Sequence, residues 1–302
     1  TQLSRRMAED HRLATGFLVN IYDQIAPLPG ATPIREALLE ESLRYLNGLA
    51  ADAGGDPEFR RSLALAYEKF AELQGGRAGA GLGKSSDAME TCAKARSIRE
   101  SLANSRPTDP TIQLELARNY LLSATIAGRA TSLDVRRDFE QRAVAILEKL
   151  VQQDPRRPEY RTALARGHAS LGQTLIIEEQ FEAARVQLRQ SLAIDSEILA
   201  ETPGNNVVRR ALGAVRYEIG NSYAAAGQPG HAQEEYRAAL AILEKLAEAD
   251  PDNNQVRGDI ASINHFLGVS LGQMKEHEKA IQHFDRAIAI RRAAMDQDPR
   301  DS

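Results

Sequence analysis

Apolar and small residues recur along this chain with a stride of 48 positions. Ile98, Ile146, Ile194, Ile242 and Ile290 form one column, and Pro107, Pro155, Pro203, Pro251 and Pro299 form a second. Leu116, Leu164, Leu212 and Ile260 follow the same ruler, each trailed by a small residue (Ala117, Ala165, Gly213, Ala261). Two further columns are Ala124, Gly172, Gly220, Gly268 and Ala88, Ala184, Ala232, Ala280, the latter interrupted by Arg136. A period in this range is the mark of a repeat array, in which each unit buries its apolar face only against its neighbours.

Within each period the apolar spacing is helical and breaks once near the middle. In the last unit Val256, Ile260, Ile263, Phe266, Leu267 and Leu271 form one predicted core stripe, and Ala280, Ile281, Phe284, Ala287, Ile288 and Met295 form the next. The break at Lys275 to Glu278, like Gly227-Gln228-Pro229-Gly230 one unit earlier, reads as a helical-hairpin turn. Proline is tolerated in the first turn of a helix and excludes helix from the residue before it. Asp154-Pro155, Asp250-Pro251 and Asp298-Pro299 are therefore expected boundaries between hairpins. Glycine in mid-helix costs about 1 kcal/mol relative to alanine, so its repetition predicts two helices too close for a larger side chain. The isoleucine column is expected to fill the gap between neighbouring units.

Leu63, Ala64 and Tyr67 match Leu116, Ala117 and Tyr120 at a stride of 53, so five extra residues belong in the first unit, in the stretch Gly75 to Gly83. Two more helices are predicted ahead of it, from Leu3 to Ala26 and from Pro33 to Ala51. The expectation is an all-α, right-handed solenoid of about twelve helices in six hairpins. An N-terminal capping hairpin would occupy 1–53, and five repeats 54–302 (about 54–106, 107–154, 155–202, 203–250 and 251–302). Met7, Ala14, Leu18, Ile21 and Ile25 have heptad spacing broken by His11. They read as a cap on Leu38, Leu43 and Leu46, or alternatively as a stalk continuing from an upstream membrane segment.

Gly220, Tyr223, Ala232, Tyr236 and Ala239, and likewise Gly268, Leu271, Ala280, Phe284 and Ala287, resemble the small, aromatic and alanine positions of the tetratricopeptide repeat. That repeat is usually 34 residues long, so the extra 14 add about two turns to each helix. A second resemblance lies in Leu28 to Pro33, Asp52 to Pro57, Glu72 to Gly76 and Gly81 to Glu100. These strings are similar to the region after the transmembrane helix in bacterial membrane-anchored serine/threonine protein kinases with tetratricopeptide tails. The likeness covers mainly residues 15–105, and Cys92 departs from it by standing where an aromatic is usual. It implies a sensor or docking tail, extracytoplasmic and soluble in itself, whose membrane contact runs only through a segment outside this chain. Starting at Thr1, the chain reads as a piece of something longer.

Composition narrows the function further. A net charge of −4 offers no clustered basic face for nucleic acid, and a single cysteine excludes an internal disulfide. Ala78-Gly79-Ala80-Gly81-Leu82-Gly83-Lys84-Ser85 is a relaxed match to a phosphate-binding loop, but such a loop needs a preceding strand, and Leu63 to Leu73 reads as helix. Nucleotide binding through 78–85 is thus the lesser alternative. The histidines lack metal-ligand spacing, Cys92 falls in a second-helix core column with Leu188, Tyr236 and Phe284, and no carboxylate pair suggests acid–base work. Neither a cofactor nor a metal is expected, and the chain reads as non-catalytic.

The tetratricopeptide resemblance implies that the first helix of each hairpin lines a concave groove. Its positions here are Arg118, Leu121 and Thr125; Arg166, Ala169 and Gln173; Ala214, Tyr217 and Asn221; and Ser262, His265 and Val269. Arg166, Gln173, Tyr217, Asn221 and His265 would form a polar strip with one aromatic anchor, suited to an extended peptide or a partner helix. The competing class is self-association into a homodimer through the first helix or the solenoid ends. The column Arg60, Arg161, Arg209 and Arg257 is expected to pair with acidic residues ending the previous hairpin.

Overall fold

The computed structural model describes residues 32–52, 56–75, 85–130 and 132–297. Among them there is no strand. Eleven helices follow one another: α1 (Thr32–Asp52), α2 (Pro57–Gly75), α3 (Ser85–Ser105), α4 (Pro110–Ala130), α5 (Leu133–Gln153), α6 (Pro158–Ile177), α7 (Phe181–Glu201), α8 (Asn206–Ala225), α9 (Pro229–Ala249), α10 (Asn254–Gln273) and α11 (His277–Gln297). At 19 to 21 residues in most cases, each is about 30 Å long. The predicted helix at Leu3 to Ala26 and the glycine loop lie outside the described residues. The segment leading to that loop is helix α2, so the strand that a phosphate loop requires is replaced by helix.

The chain forms two compact units, Thr1–Leu150 and Val151–Ser302. In the first, α1 packs on α2, α2 pairs with α3, and α3 packs on α4. In the second, the hairpins α6/α7, α8/α9 and α10/α11 stack in order, with α7 against α8 and α9 against α10. The first helices also touch one another, α6 with α8 and α8 with α10.

The boundary prolines do not open the helices. Pro155, Pro203 and Pro251 sit in turns, and the next helix starts three residues later. The start signal is a capping residue that follows the same stride. The Asn205 side chain accepts from Val208 N (3.1 Å), Asn253 from Val256 N (3.1 Å), and Asp109 from Thr111 N (3.0 Å). Asp56 does the same for Glu58 N at 2.9 Å. Such caps satisfy amide groups that the helix leaves free. Arg157 breaks the column, and Pro158 at the first helical position stands in for it.

The hairpin turns of the second unit repeat as well. Glu179, Gly227 and Lys275 all have positive φ (60°, 72° and 65°). The next residue of each turn donates back across it: Gln180 N to Leu175 O, Gln228 N to Tyr223 O, and Glu276 N to Leu271 O, at 2.8–2.9 Å. These are left-handed helix stops, favoured by glycine and used here with Glu and Lys in two of three cases.

The glycine column has the predicted close approach. A methyl added at Gly172 would stand 2.6 Å from Leu188 Cγ, at Gly220 2.5 Å from Tyr236 Cε1, and at Gly268 2.8 Å from Phe284 Cε1. Each is sixteen residues before its neighbour on the second helix. In the first unit the small position is alanine, and no aromatic opposes it: Ala71 packs with Cys92, and sixteen residues after Ala124 comes Glu140. Glu140 is fully buried and takes Arg136 Nε at 3.0 Å, so the charge that interrupts the alanine column is paired along its own helix.

A second pairing, nineteen residues apart, joins the two helices of four hairpins with a different chemistry in each. Tyr120 stacks on Phe139 (6.0 Å), His168 Nδ1 lies 2.8 Å from Gln187 Oε1, Arg216 pairs with Glu235 (2.9 Å), and His283 Nδ1 lies 2.9 Å from Asn264 Oδ1. Matched pairs of this kind favour a helix's own partner over another repeat's.

Three sequence expectations need correction. Arg161 pairs with Glu197 (3.2 Å) and Glu201 (2.7 Å) at the end of its own hairpin, not the previous one, while Arg209 bonds Asn206 and the Pro203 carbonyl and Arg257 bonds Asn254. Phe266 is 38% exposed instead of core. Ile281 and Ile288, assigned to the last core stripe, are 58% and 46% exposed. A helical stripe read from sequence includes residues one position off the buried arc, and only neighbouring elements decide which are covered.

Candidate binding face on the first helices

In the second unit the first helices bring most of the predicted groove residues together. On α6, Gln173 Nε2 donates to Glu218 Oε1 on α8 at 3.1 Å. The other Glu218 oxygen accepts from Asn221 Nδ2 (3.1 Å), and Asn221 Oδ1 accepts from the Tyr236 hydroxyl (2.8 Å). An aromatic chain continues from there. Tyr217 lies 5.9 Å from the Tyr236 ring and 5.7 Å from Phe266 on α10. His265 meets Phe266 edge-on at 5.2 Å and reaches Phe284 at 5.7 Å.

The elements explain the arrangement. Gln173, Asn221 and Val269 share one column of the stride, and Tyr217 and His265 share another. Packing α6 on α8 and α8 on α10 sets equivalent positions side by side. Tyr236 lies fully buried over Gly220, which fixes the ring that Asn221 and Tyr217 lean on. Burial raises the pKa of both tyrosines; for Tyr217 a hydrogen bond with Asn221 opposes the shift. Both hydroxyls therefore stay protonated at neutral pH, that of Tyr236 with its hydrogen committed to Asn221 Oδ1.

Of the remaining predicted residues, Arg166 is exposed on α6, seven residues before Gln173. Arg118 and Thr125 are exposed on α4 in the first unit, where the Thr125 hydroxyl donates to the Leu121 carbonyl at 2.9 Å. The sequence reading missed Glu218 and Phe266, which share a stride position one residue beyond Tyr217 and His265. Their common column was the available signal. Val269, 37% exposed, completes an apolar edge beside Phe266. Such a face can present flat rings, amide groups and one carboxylate to a chain laid across it, and it holds no nucleophile activated by a base. Among the described residues no three His, Cys, Asp or Glu side chains converge on a metal-sized space.

A family model described as tetratricopeptide repeat matches residues 261–293, from α10 into α11. No curated protein matches the chain. Among solved structures, BtubC (BKLC) from P. vanneervenii is 21% identical, over 86% of this chain and 92% of that one, with a TM-score of 0.64. The apo form of RapI is 10% identical, over 95% of this chain and 66% of that one, with a TM-score of 0.59. At these identities the likeness is one of fold. The stacked hairpins, the match within the last of them and the shared architecture make this an all-helical array of the tetratricopeptide-like type.

Proposed function

We propose that the chain is a non-catalytic scaffold that holds a peptide segment of a partner protein across the first helices of its second unit. The observation that carries this reading is the exposure of Phe266 and Val269 beside the half-buried Tyr217 and His265, with Gln173, Glu218 and Asn221 alongside. Aromatic anchors next to oriented polar groups are the composition of a binding hot spot. The finer reading follows from the resemblance of residues 15–105. The chain is the docking or sensor tail of a bacterial membrane-anchored serine/threonine protein kinase, facing the outside of the cytoplasm and attached through a segment beyond this sequence. No described helix is long and apolar enough to cross a membrane. The competing reading is association of two copies through the first helix or the solenoid ends.

A library of random peptides displayed on phage and selected on the chain tests the proposal. Selected peptides are expected to lose about tenfold or more in affinity for Phe266→Ala and Tyr217→Ala while far-UV melting of the variants is retained. Peptides that bind both variants as well as the parent would place recognition elsewhere, and a selection that enriches nothing would remove the reading.

A further inference from the structure

The seam between α6 and α8 lacks charges that the α2/α4 and α8/α10 seams share. Arg61 of α2 pairs with Glu115 of α4, and Arg210 of α8 with Asp259 of α10. The equivalent positions of α6 and α8 are Thr162 and Ala211. Behind the first of those pairs lies Arg99 of α3, which Glu68 reaches from α2 at 3.0 Å and Glu115 from α4 at 2.6 Å. The corresponding residues of the second unit are Asp195 on α7, Ala169 on α6 and Ala211 on α8. The two positions that deliver carboxylates to a guanidinium in one unit thus carry methyl groups in the other, and the buried charge has the opposite sign.

Asp195, 4% exposed, has no hydrogen-bond or ion-pair partner among the described residues. One turn before it Ser191 is 1% exposed and its hydroxyl also lacks a partner, where sister repeats have Ala95, Ala143 and Ala239. Polar groups buried without partners are costly, and two on one face of α7 call for a group that the chain itself does not supply. The charges of the flanking helices are engaged elsewhere. On α6, Glu197 and Glu201 hold Arg161, Gln187 holds His168, and Arg166 is exposed. On α8, Arg209 bonds Asn206, Arg210 pairs with Asp259, Arg216 pairs with Glu235, and Glu218 takes Gln173 and Asn221. Burial alone raises the Asp195 pKa. Ala169 and Ala211 are half-buried on the helices that carry Gln173 and Glu218, so a long side chain arriving from that face meets only methyl groups at these two positions.

We propose that Asp195 receives an arginine of the bound peptide, whose guanidinium enters between Ala169 and Ala211 and pairs with the carboxylate. Guanidinium groups already occupy the sister seams, and their planar fork suits a carboxylate. The inference rests on the reading that a peptide crosses the first helices of the second unit, and it names one residue which that peptide must bring.

Peptides selected from the random library on the parent are expected to share an arginine, and those selected on Asp195→Leu to lack it. In a synthetic copy of such a peptide, Arg→citrulline keeps the shape and removes the charge. It should weaken binding to the parent about tenfold or more and leave binding to Asp195→Leu unchanged. Affinity for the parent should also fall about tenfold from pH 7.5 to pH 5, because the carboxyl takes up a proton near pH 6, and Asp195→Leu should lack that slope. Ala169→Arg copies the Glu68–Arg99 pair with the signs exchanged. It should lower the Asp195 titration, followed by NMR of the carboxyl carbon, and remove the preference for arginine. Should Asp195→Leu fail to fold, Asp195→Asn takes its place. Selected peptides without arginine, an equal citrulline penalty on parent and variant, or an Asp195 titration indifferent to Ala169→Arg would overturn this inference and leave peptide binding standing. A library that enriches nothing would remove both.

Discussion

Arg99 in the first unit and Asp195 in the second occupy the same stride position, which is leucine at Leu147 and Leu243. Both are buried, at 3% and 4% exposure. Arg99 is enclosed by carboxylates: its Nε and Nη2 each lie 3.0 Å from Glu68, and its Nη1 lies 2.6 Å from Glu115. Arg61 closes on Glu115 from α2, and Asn119 Nδ2 donates to Glu68 at 2.9 Å. Asp195 has no such company, and burial pushes its carboxyl up to about 6. One frame therefore accommodates a buried ionisable group in two ways, by pairing its charge or by leaving it alone with a raised pKa.

The same contrast extends to the candidate face on the first helices. Glu68, locked to Arg99, takes the position that Leu121, Ala169, Tyr217 and His265 hold in later repeats, so a charge network stands where the last two first helices carry rings. Between neighbouring first helices, the pairing Arg61–Glu115 of the first unit returns as Arg210–Asp259 (2.7 Å) in the second. The scaffold contact is shared, and what lies beside it differs.

Replacing each charge by the leucine of its sister repeats should give opposite signs. Arg99→Leu strands Glu68 and Glu115 beside each other and is expected to cost about 3 kcal/mol or more, read as a lower urea midpoint. An unchanged midpoint would mean that the network contributes only geometry. Gly220→Ala drives a methyl into the Tyr236 ring and is expected to cost about 1–3 kcal/mol, partly recovered by Tyr236→Leu. The reverse change at the alanine of the first unit, Ala124→Gly, should lose only about 1 kcal/mol of helix propensity.

Asp195→Leu is expected to stabilise the chain at pH 7.5 by roughly 1 to 3 kcal/mol. The sign follows from proton binding: the folded pKa, about 6, lies above the ordinary 3.8. Between those values the folded chain keeps a proton that the unfolded chain has released. The parent therefore loses this contribution as pH rises from about 4 to 6, and the variant should lack that slope in melts at a series of pH values. Smallest is the turn effect: Glu179→Gly and Lys275→Gly, which copy Gly227, should each stabilise the chain by about 0.5–1 kcal/mol, read as a higher urea midpoint, because glycine relieves the positive φ.

How much of this was legible in the sequence depends on which residues carry the signal. The helical repeat was readable because buried seams must recur wherever identical units stack. The close approach at Gly220 and Gly268 was readable too, since a costly residue kept at fixed spacing demands a steric cause. The capping column Asp109, Asn205 and Asn253 was present and overlooked, because the prolines nearby were the louder marks. The charged network around Arg99 was invisible to a search for apolar periodicity. The candidate face was legible as far as the placement of Gln173, Tyr217, Asn221 and His265 on the first helices goes, and not for Phe266, which helical spacing had placed in the core.

By itself the sequence determined the helices, their stride and the residues that face a neighbouring helix at short range, because those follow from backbone periodicity and local steric limits. Which of those faces is covered, which charge finds a partner and which ring is left outside were decided only in the tertiary structure. Burial belongs to the neighbour as much as to the residue: Ile288 and Leu240 occupy one position in the repeat, and what separates them is whether another helix lies on top.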